Sequence, residues 1–309
     1  MKAIVTGGAG FIGSNLAKHL AGLGADVTVI DDFSAGDFKN LKNFSGSVIA
    51  QSICQLDWDK LEAVDVVFHQ AALTDTTVSN QTQMMLVNVE GFKKVMAYCV
   101  KVKSSLVYAS SAAVYGNENA PQREEGPLNP LNVYGYSKLV ADQIAERSIK
   151  KSLIPIVGLR YFNVFGFGEQ HKKNYASMIF QLSQQMRAGK RPRIFADGEQ
   201  SRDHIYVKDV IDANVRAWES KRSGIVNVGT GVATTFNRVI EILSETLNLR
   251  LAADYFENPY SFYQNETRAE TSLAWSLIGF SSRYSVEDGI RNYFASLYGI
   301  QTPTAARIK

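Results

Sequence analysis

The 309-residue sequence predicts an α/β fold: a doubly wound parallel sheet carrying a smaller α+β lobe. Three observations predict it. Runs of β-branched residues alternate with amphipathic stretches through the first half of the chain. A glycine-rich turn joins the first such run to the first amphipathic stretch. After Asn163 the alternation gives way to short polar connections and scattered glycines.

The elements follow in order. Ala3-Ile4-Val5 reads as a strand, and Ile12, Leu16, Leu20 and Leu23 recur behind it at helical spacing. Val27-Thr28-Val29-Ile30, Val66-Val67-Phe68-His69 and Leu106-Val107-Tyr108-Ala109 continue the strand series. Such continuous apolar runs suit strands buried on both faces of a parallel sheet. Between the last two lies a helical stretch through Met84, Val87, Val95 and Tyr98. A helix beginning near Tyr134 leads into the strand Ile156-Val157-Gly158-Leu159. A later helix spans Met178 to Met186, and Ile225-Val226-Asn227-Val228 reads as a strand returning to the main sheet. The expected division is 1–164 with 203–230 as the dinucleotide-binding domain, and 165–202 with 231–309 as the substrate lobe.

Between the first strand and first helix stands Thr6-Gly7-Gly8-Ala9-Gly10-Phe11-Ile12-Gly13. The turn is tight, its backbone must approach a pyrophosphate, and the helix must lie against the strand, so Gly7, Gly10 and Gly13 suit it. N–H groups at the helix start, those of Phe11 and Ile12 among them, would hold the phosphates. Asp31 ends the second strand, where a carboxylate can accept from the adenosine ribose; together these form a Rossmann-like dinucleotide signature. Asp32 adds a second negative charge that would repel a 2′-phosphate. NAD is favoured, and NADP stays open through nearby Lys39.

Tyr134 and Lys138 lie one helical turn apart, which stacks them on one face. An ammonium beside a phenol favours phenolate and so proton transfer near neutrality. Ser110 and Ser111 end the Leu106–Ala109 strand, at the carboxyl edge where sites form in open parallel sheets.

These residues, with Val114-Tyr115-Gly116 and Arg160-Tyr161-Phe162-Asn163-Val164, resemble the extended short-chain dehydrogenases over nearly the whole chain. That family includes nucleotide-sugar epimerases and dehydratases. The resemblance implies Ser111, Tyr134 and Lys138 as a catalytic triad, Asn163 on a substrate diphosphate and Arg202 near the nucleotide. It also implies Ala71, Ala72 and Ile53 beside the cofactor, with Asn88 there too or bracing the nearby strands. Three segments are most similar to ADP-glyceromanno-heptose 6-epimerases: 71–77, His171-Lys172 before Ala176-Ser177-Met178, and Pro259-Tyr260 with Tyr263-Gln264 and Thr267. Such enzymes work with two bases, and Lys172 matches the second. Thr74 and Asp75 fall on the substrate rim, Asp75 with an equal reading as a helix cap. Tyr263 either walls the nucleotide pocket or packs the core.

Two departures bear on the cofactor. Ser52-Ile53 replaces the Asp-Ile pair that often holds adenine, and Asp31-Asp32 resembles NAD-using hexose 4-epimerases where heptose epimerases often use NADP. Ala112-Ala113 stands where dehydratases carry acids, which argues against dehydration. The alternatives are a UDP-hexose (glucose or N-acetylglucosamine) 4-epimerase and a non-catalytic NAD(P)-binding protein; the latter class usually lacks the tyrosine or lysine.

Composition narrows the rest. A net charge of +3 argues against a nucleic-acid partner, and the run Arg187 to Arg193 reads as a solvated helix end. Four scattered histidines form no metal motif, and Cys54 and Cys99 read as reduced, buried thiols. No apolar stretch suits a membrane span and the start resembles no signal peptide, so a cytoplasmic enzyme is expected. The family resemblance implies a homo-oligomer acting on a nucleotide-diphosphate sugar.

Overall fold

The computed structural model describes residues 1–74, 80–151, 153–195, 197–257 and 265–300. The first half runs β1 (Lys2–Thr6), α1 (Phe11–Gly22), β2 (Asp26–Ile30), β3 (Ser47–Ile49), β4 (Val66–His69), α2 (Gln81–Met85) and α3 (Gly91–Val102). Then come β5 (Ser105–Ser111), α4 (Val133–Ile149), β6 (Ile156–Tyr161), β7 (Asn163–Phe165), α5 (Met178–Arg187) and β8 (Arg193–Phe195). The remainder is β9 (Ser201–Tyr206), α6 (Val207–Glu219), β10 (Gly224–Val228), β11 (Ala233–Thr235), α7 (Phe236–Leu247), β12 (Asp254–Phe256), α8 (Ser272–Ile278) and α9 (Val286–Tyr298).

Seven parallel strands form the main sheet in the order β3-β2-β1-β4-β5-β6-β10. All four residues of β4 and all six of β6 are buried, the physical basis of their unbroken runs. Each buried Val, Ile or Phe contributes about 1.5–3 kcal/mol. Strand order reverses between β1 and β4, which opens a crevice at their carboxyl ends. This is the Rossmann-like architecture expected from the sequence.

The second half adds a sheet of order β11-β9-β7 and a pair β12-β8. β10 joins the large sheet and α6 packs on α1, β5 and β6, while β9 pairs with β7 and β11 in the small sheet. Among the described residues no helix is long and apolar enough to cross a membrane. The basic run closes α5: Arg187 lies 3.6 Å above the Tyr298 ring and Arg193 pairs with Asp254. Cys99 is buried as expected, whereas Cys54 is only half-buried.

The helical stretch expected from Met84 to Tyr98 is interrupted. A π-turn over Leu86–Glu90 joins α2 to α3. The wider turn brings Asn88 inward, where hydrogen bonds to Leu73 and Ser137 offset its poorer geometry.

Two histidines sit in the core. His69 ends β4 and bonds to the Thr6 hydroxyl at 2.8 Å. His204 on β9 lies edge-on to Phe165 and Phe236, and among the described residues neither ring nitrogen has a hydrogen-bond partner. Burial pushes both imidazoles down to about 3, helped by Lys138 at His69 and Arg202 at His204. Those values lie below the free imidazole, so the unfolded chain binds protons that the folded chain does not. Stability contributed by each is complete above about pH 6.5 and is lost as pH falls toward 3. Replacing His204→Phe should therefore reduce the stability lost between about pH 7 and pH 5.5 by about 1.2 kcal/mol. Urea denaturation of both proteins at the two pH values checks this; parallel losses would refute it.

Candidate active site

The crevice is built first by the glycine turn. Gly7 has φ +66°, and a Cβ there would stand 2.6 Å from Ala71 N on the loop after β4. A Cβ on Gly13 would fall on the Gly7 carbonyl oxygen. Only glycine lets the turn and helix approach this closely. Gly10 caps α1 without a side-chain acceptor, so the first-turn N–H groups of Phe11 and Ile12 face the helix end. Such an end attracts phosphate. Asp31 is buried, with Oδ2 accepting from Ala9 N and Oδ1 from Phe33 N, both at 2.8 Å. Burial raises its carboxyl, while those two N–H groups oppose the rise. Asp32 is exposed and accepts from the N–H and hydroxyl of Ser34.

The next group hangs from β5 and α4. Asn132 caps α4, its Oδ1 accepting from Gly135 N at 2.8 Å, and this starts the helix just before Tyr134. Lys138 lies 5.9 Å from the Tyr134 ring centre and donates to the Ala109 carbonyl at 2.8 Å. Ser111, at the end of β5, hydrogen-bonds to Tyr134. Burial raises the Tyr134 phenol and that bond draws it back. Burial pushes the Lys138 ammonium down to about 8, opposed by Asp142 one turn on. The fold thus brings Ser111, Tyr134 and Lys138 together at the strand-end crevice.

Asn88 occupies the space between the two groups. Its amide bonds both the N–H and the carbonyl of Leu73, and donates to Ser137 Oγ on α4. It ties the loop bearing Ala71, Ala72 and Thr74 to the helix bearing Tyr134 and Lys138. Ala71 and Ala72 are half-buried and Thr74 is exposed. Ile53 is buried, with its carbonyl accepting from Trp58 Nε1 and its side chain against Gly91.

The remaining predicted residues lie beyond β6. Asn163 is half-buried and donates to the Asp203 carbonyl and to Thr267 Oγ1. Arg202 lies 5.9 Å over the Phe236 ring and donates to the Ser201 carbonyl. Lys172 is half-buried on a short 3-10 segment, its ammonium lowered by burial and opposed by Glu169. Asp75 and Tyr263 lie outside the described residues, as do Thr76, Thr77, Phe262 and Gln264. Among the described residues, no cluster of His, Cys, Asp and Glu could hold a metal ion.

Three residues carry more of the site than the sequence reading gave them. Arg160 and Asp142 form a buried ion pair below Lys138. Asp203 accepts from Thr230 N, Gly231 N and Ala269 N, so it fixes the backbone that adjoins Asn163 and Thr267. An acid one turn beyond Lys138, and an arginine inside an apolar strand, were the available signals.

Residues 3–229 match the model of the NAD dependent epimerase/dehydratase family. The chain belongs to that family. Its members depend on NAD, and the uncapped helix start, the glycine cradle and Asp31 fit such a cofactor. Among solved structures, the ADP-L-glycero-D-manno-heptose-6-epimerase of Helicobacter pylori is 39% identical, with a TM-score of 0.91 over 97% of this chain and 96% of that one. A UDP-N-acetylglucosamine 4-epimerase of Methanobrevibacter ruminantium, in complex with UDP-N-acetylmuramic acid, is 31% identical, with a TM-score of 0.90 over 96% and 98%. The UDP-glucuronic acid 4-epimerase of Bacillus cereus, with UDP-glucuronic acid and NAD, is 28% identical, with a TM-score of 0.85 over 96% and 100%.

Proposed function

We propose that this family member is a nucleotide-sugar epimerase, and specifically an ADP-glyceromanno-heptose 6-epimerase. The observation that carries the reading is the Ser111–Tyr134–Lys138 cluster with Ala112-Ala113 beside it, a proton-transfer site without the extra acids of a dehydratase. The heptose assignment is supported by 39% identity to the Helicobacter pylori enzyme across nearly the full length of both chains.

The N–H groups of Phe11 and Ile12 would hold the cofactor pyrophosphate, and Asp31 the adenosine ribose. When bound, NAD supplies a hydride acceptor that is regenerated within each turnover. Tyr134, as phenolate, takes the proton of the sugar hydroxyl being oxidised. Lys138 holds its charge beside that phenolate, and Ser111 hydrogen-bonds the developing carbonyl oxygen. Lys172 serves as the acid and base on the opposite face, so a bulky sugar need not turn over between half-reactions. Asn163 and Arg202 would grip the diphosphate and the nucleotide. On this reading the enzyme keeps its cofactor between turnovers and works in the cytoplasm as a homo-oligomer.

Incubating the purified protein with ADP-D-glycero-D-manno-heptose, without added cofactor, should yield the L-glycero epimer on chromatography. Lys172→Met should lower that rate by about 100-fold or more. A second reading, a UDP-hexose 4-epimerase, is favoured by the Asp31-Asp32 pair and by the 31% identical Methanobrevibacter ruminantium enzyme. Conversion of a UDP-hexose with no turnover of ADP-heptose, with NAD and NADP each added, would select that reading.

A further inference from the structure

Glu169 is a buried carboxylate, 1% exposed, with no part in the reaction described above. It sits inside the 166–177 segment that leaves β7, carries Lys172 and enters α5. Oε1 accepts from Gly166 N and from Ser177 Oγ, each at 3.0 Å. Oε2 accepts from Ser177 N at 2.6 Å. The Tyr293 phenol of α9 hydrogen-bonds to the same carboxylate. One side chain therefore closes both ends of the segment and fastens it to the last helix.

The outer side of the segment rests on the glycine turn. Asn15 of α1 donates to the Phe167 carbonyl at 2.8 Å. Asn40 Nδ2 donates to the Ala9 carbonyl and lies 3.0 Å from His171 Nδ1. Lys172 follows directly, its N–H donating to the Glu169 carbonyl at 2.9 Å. The next residue, Lys173, has φ 49° and ψ −115°. A non-glycine residue there costs about 1–3 kcal/mol and persists only where its surroundings over-determine it. Four donors on one carboxylate supply that constraint.

We propose that Glu169 is a positioning residue for Lys172: by stapling Gly166 to Ser177 it fixes the segment that presents the second base. The inference rests on the reading of Lys172 as that base. A glutamine would not substitute. Its amide offers one acceptor oxygen, and its NH2 would meet an N–H or hydroxyl donor of Ser177 or Gly166. Losing these bonds frees the segment at its base, and a displacement of about 1 Å at a reacting group costs up to about 100-fold in rate. The Glu169 charge also attracts the Lys172 ammonium across the segment.

A merely structural carboxylate and a positioning one differ in which substrate they affect. The holoenzyme, as purified, is offered each C6 epimer of ADP-heptose separately. The rate of substrate oxidation is read in a single turnover from the near-ultraviolet absorbance of reduced nicotinamide. In Lys172→Met the loss should fall on one epimer only, the one whose hydroxyl proton Lys172 removes. Glu169→Gln should show the same one-sided loss, about 10- to 100-fold, with the other epimer within about twofold. Tyr293→Phe keeps the buried ring and removes one donor; it should show the same asymmetry at about threefold, and it decides the matter if Glu169→Gln does not fold. One-sided loss in Lys172→Met with equal or absent losses in Glu169→Gln, or in Tyr293→Phe where that variant decides, overturns the positioning role alone. Equal losses in Lys172→Met overturn the two-base reading and this proposal together.

Discussion

Tyr134→Phe should lower kcat by about 100- to 10,000-fold while leaving KM within about threefold. The substitution keeps the ring and removes the one hydroxyl that stands against Ser111 and one helical turn before Lys138. Folding should be unaffected, because among the described residues that hydroxyl links only α4 and the end of β5. The cofactor, for which the proposed contacts are the glycine turn and Asp31 rather than Tyr134 alone, should still co-purify. Steady-state rates with the nucleotide sugar, beside the cofactor content of the same preparation, make the test. A rate within about tenfold of the parent would move the proton transfer away from Tyr134 and oblige Lys138 to carry it. A parent protein that binds NAD and turns over no nucleotide sugar would instead point to a silent binding protein.

What could be read from the sequence follows from what each residue has to satisfy. β1, β4 and β5 were legible because burial on both faces forces continuous apolar runs. The glycine turn was legible because no other residue survives the approach of Gly7 to Ala71 and of Gly13 to Gly7. Tyr134 and Lys138 were legible because helical geometry turns a sequence spacing into a shared face. The small β11-β9-β7 sheet was not, because β7 and β11 are three residues long and only partly buried. Periodicity cannot register so short an element. The π-turn at Asn88 was hidden for another reason: the hydrogen bond that accompanies it reaches Ser137, distant in sequence. Glu169 likewise reads as one more loop acid until its four donors are brought around it.

The charged pair beneath the site gives the largest expected effect on stability. Arg160 and Asp142 are 2% and 1% exposed, with Nε and Oδ2 2.9 Å apart. Asp142 Oδ1 accepts from the Tyr108 phenol, and Arg160 Nη1 donates to the Tyr115 hydroxyl, which donates to Asn227. Removing both charges from water is costly, and their attraction only roughly offsets that cost. Breaking the pair is another matter. Asp142→Ala leaves a guanidinium buried without its counter-charge and strips the Tyr108 phenol of its acceptor. It should destabilise the fold by about 3–5 kcal/mol. Asp142→Leu combined with Arg160→Met removes both charges at similar volume and should cost much less than the sum of its two single changes. Urea unfolding of the singles and the double closes the cycle. Additive losses would mean that the two charges do not act as a unit. Strong coupling would mean that α4 is held in register by a pair reaching β6 directly and β5 through Tyr108. That register sets Tyr134 and Lys138 opposite Ser111, so a pair worth little to the total stability still has a place in the site.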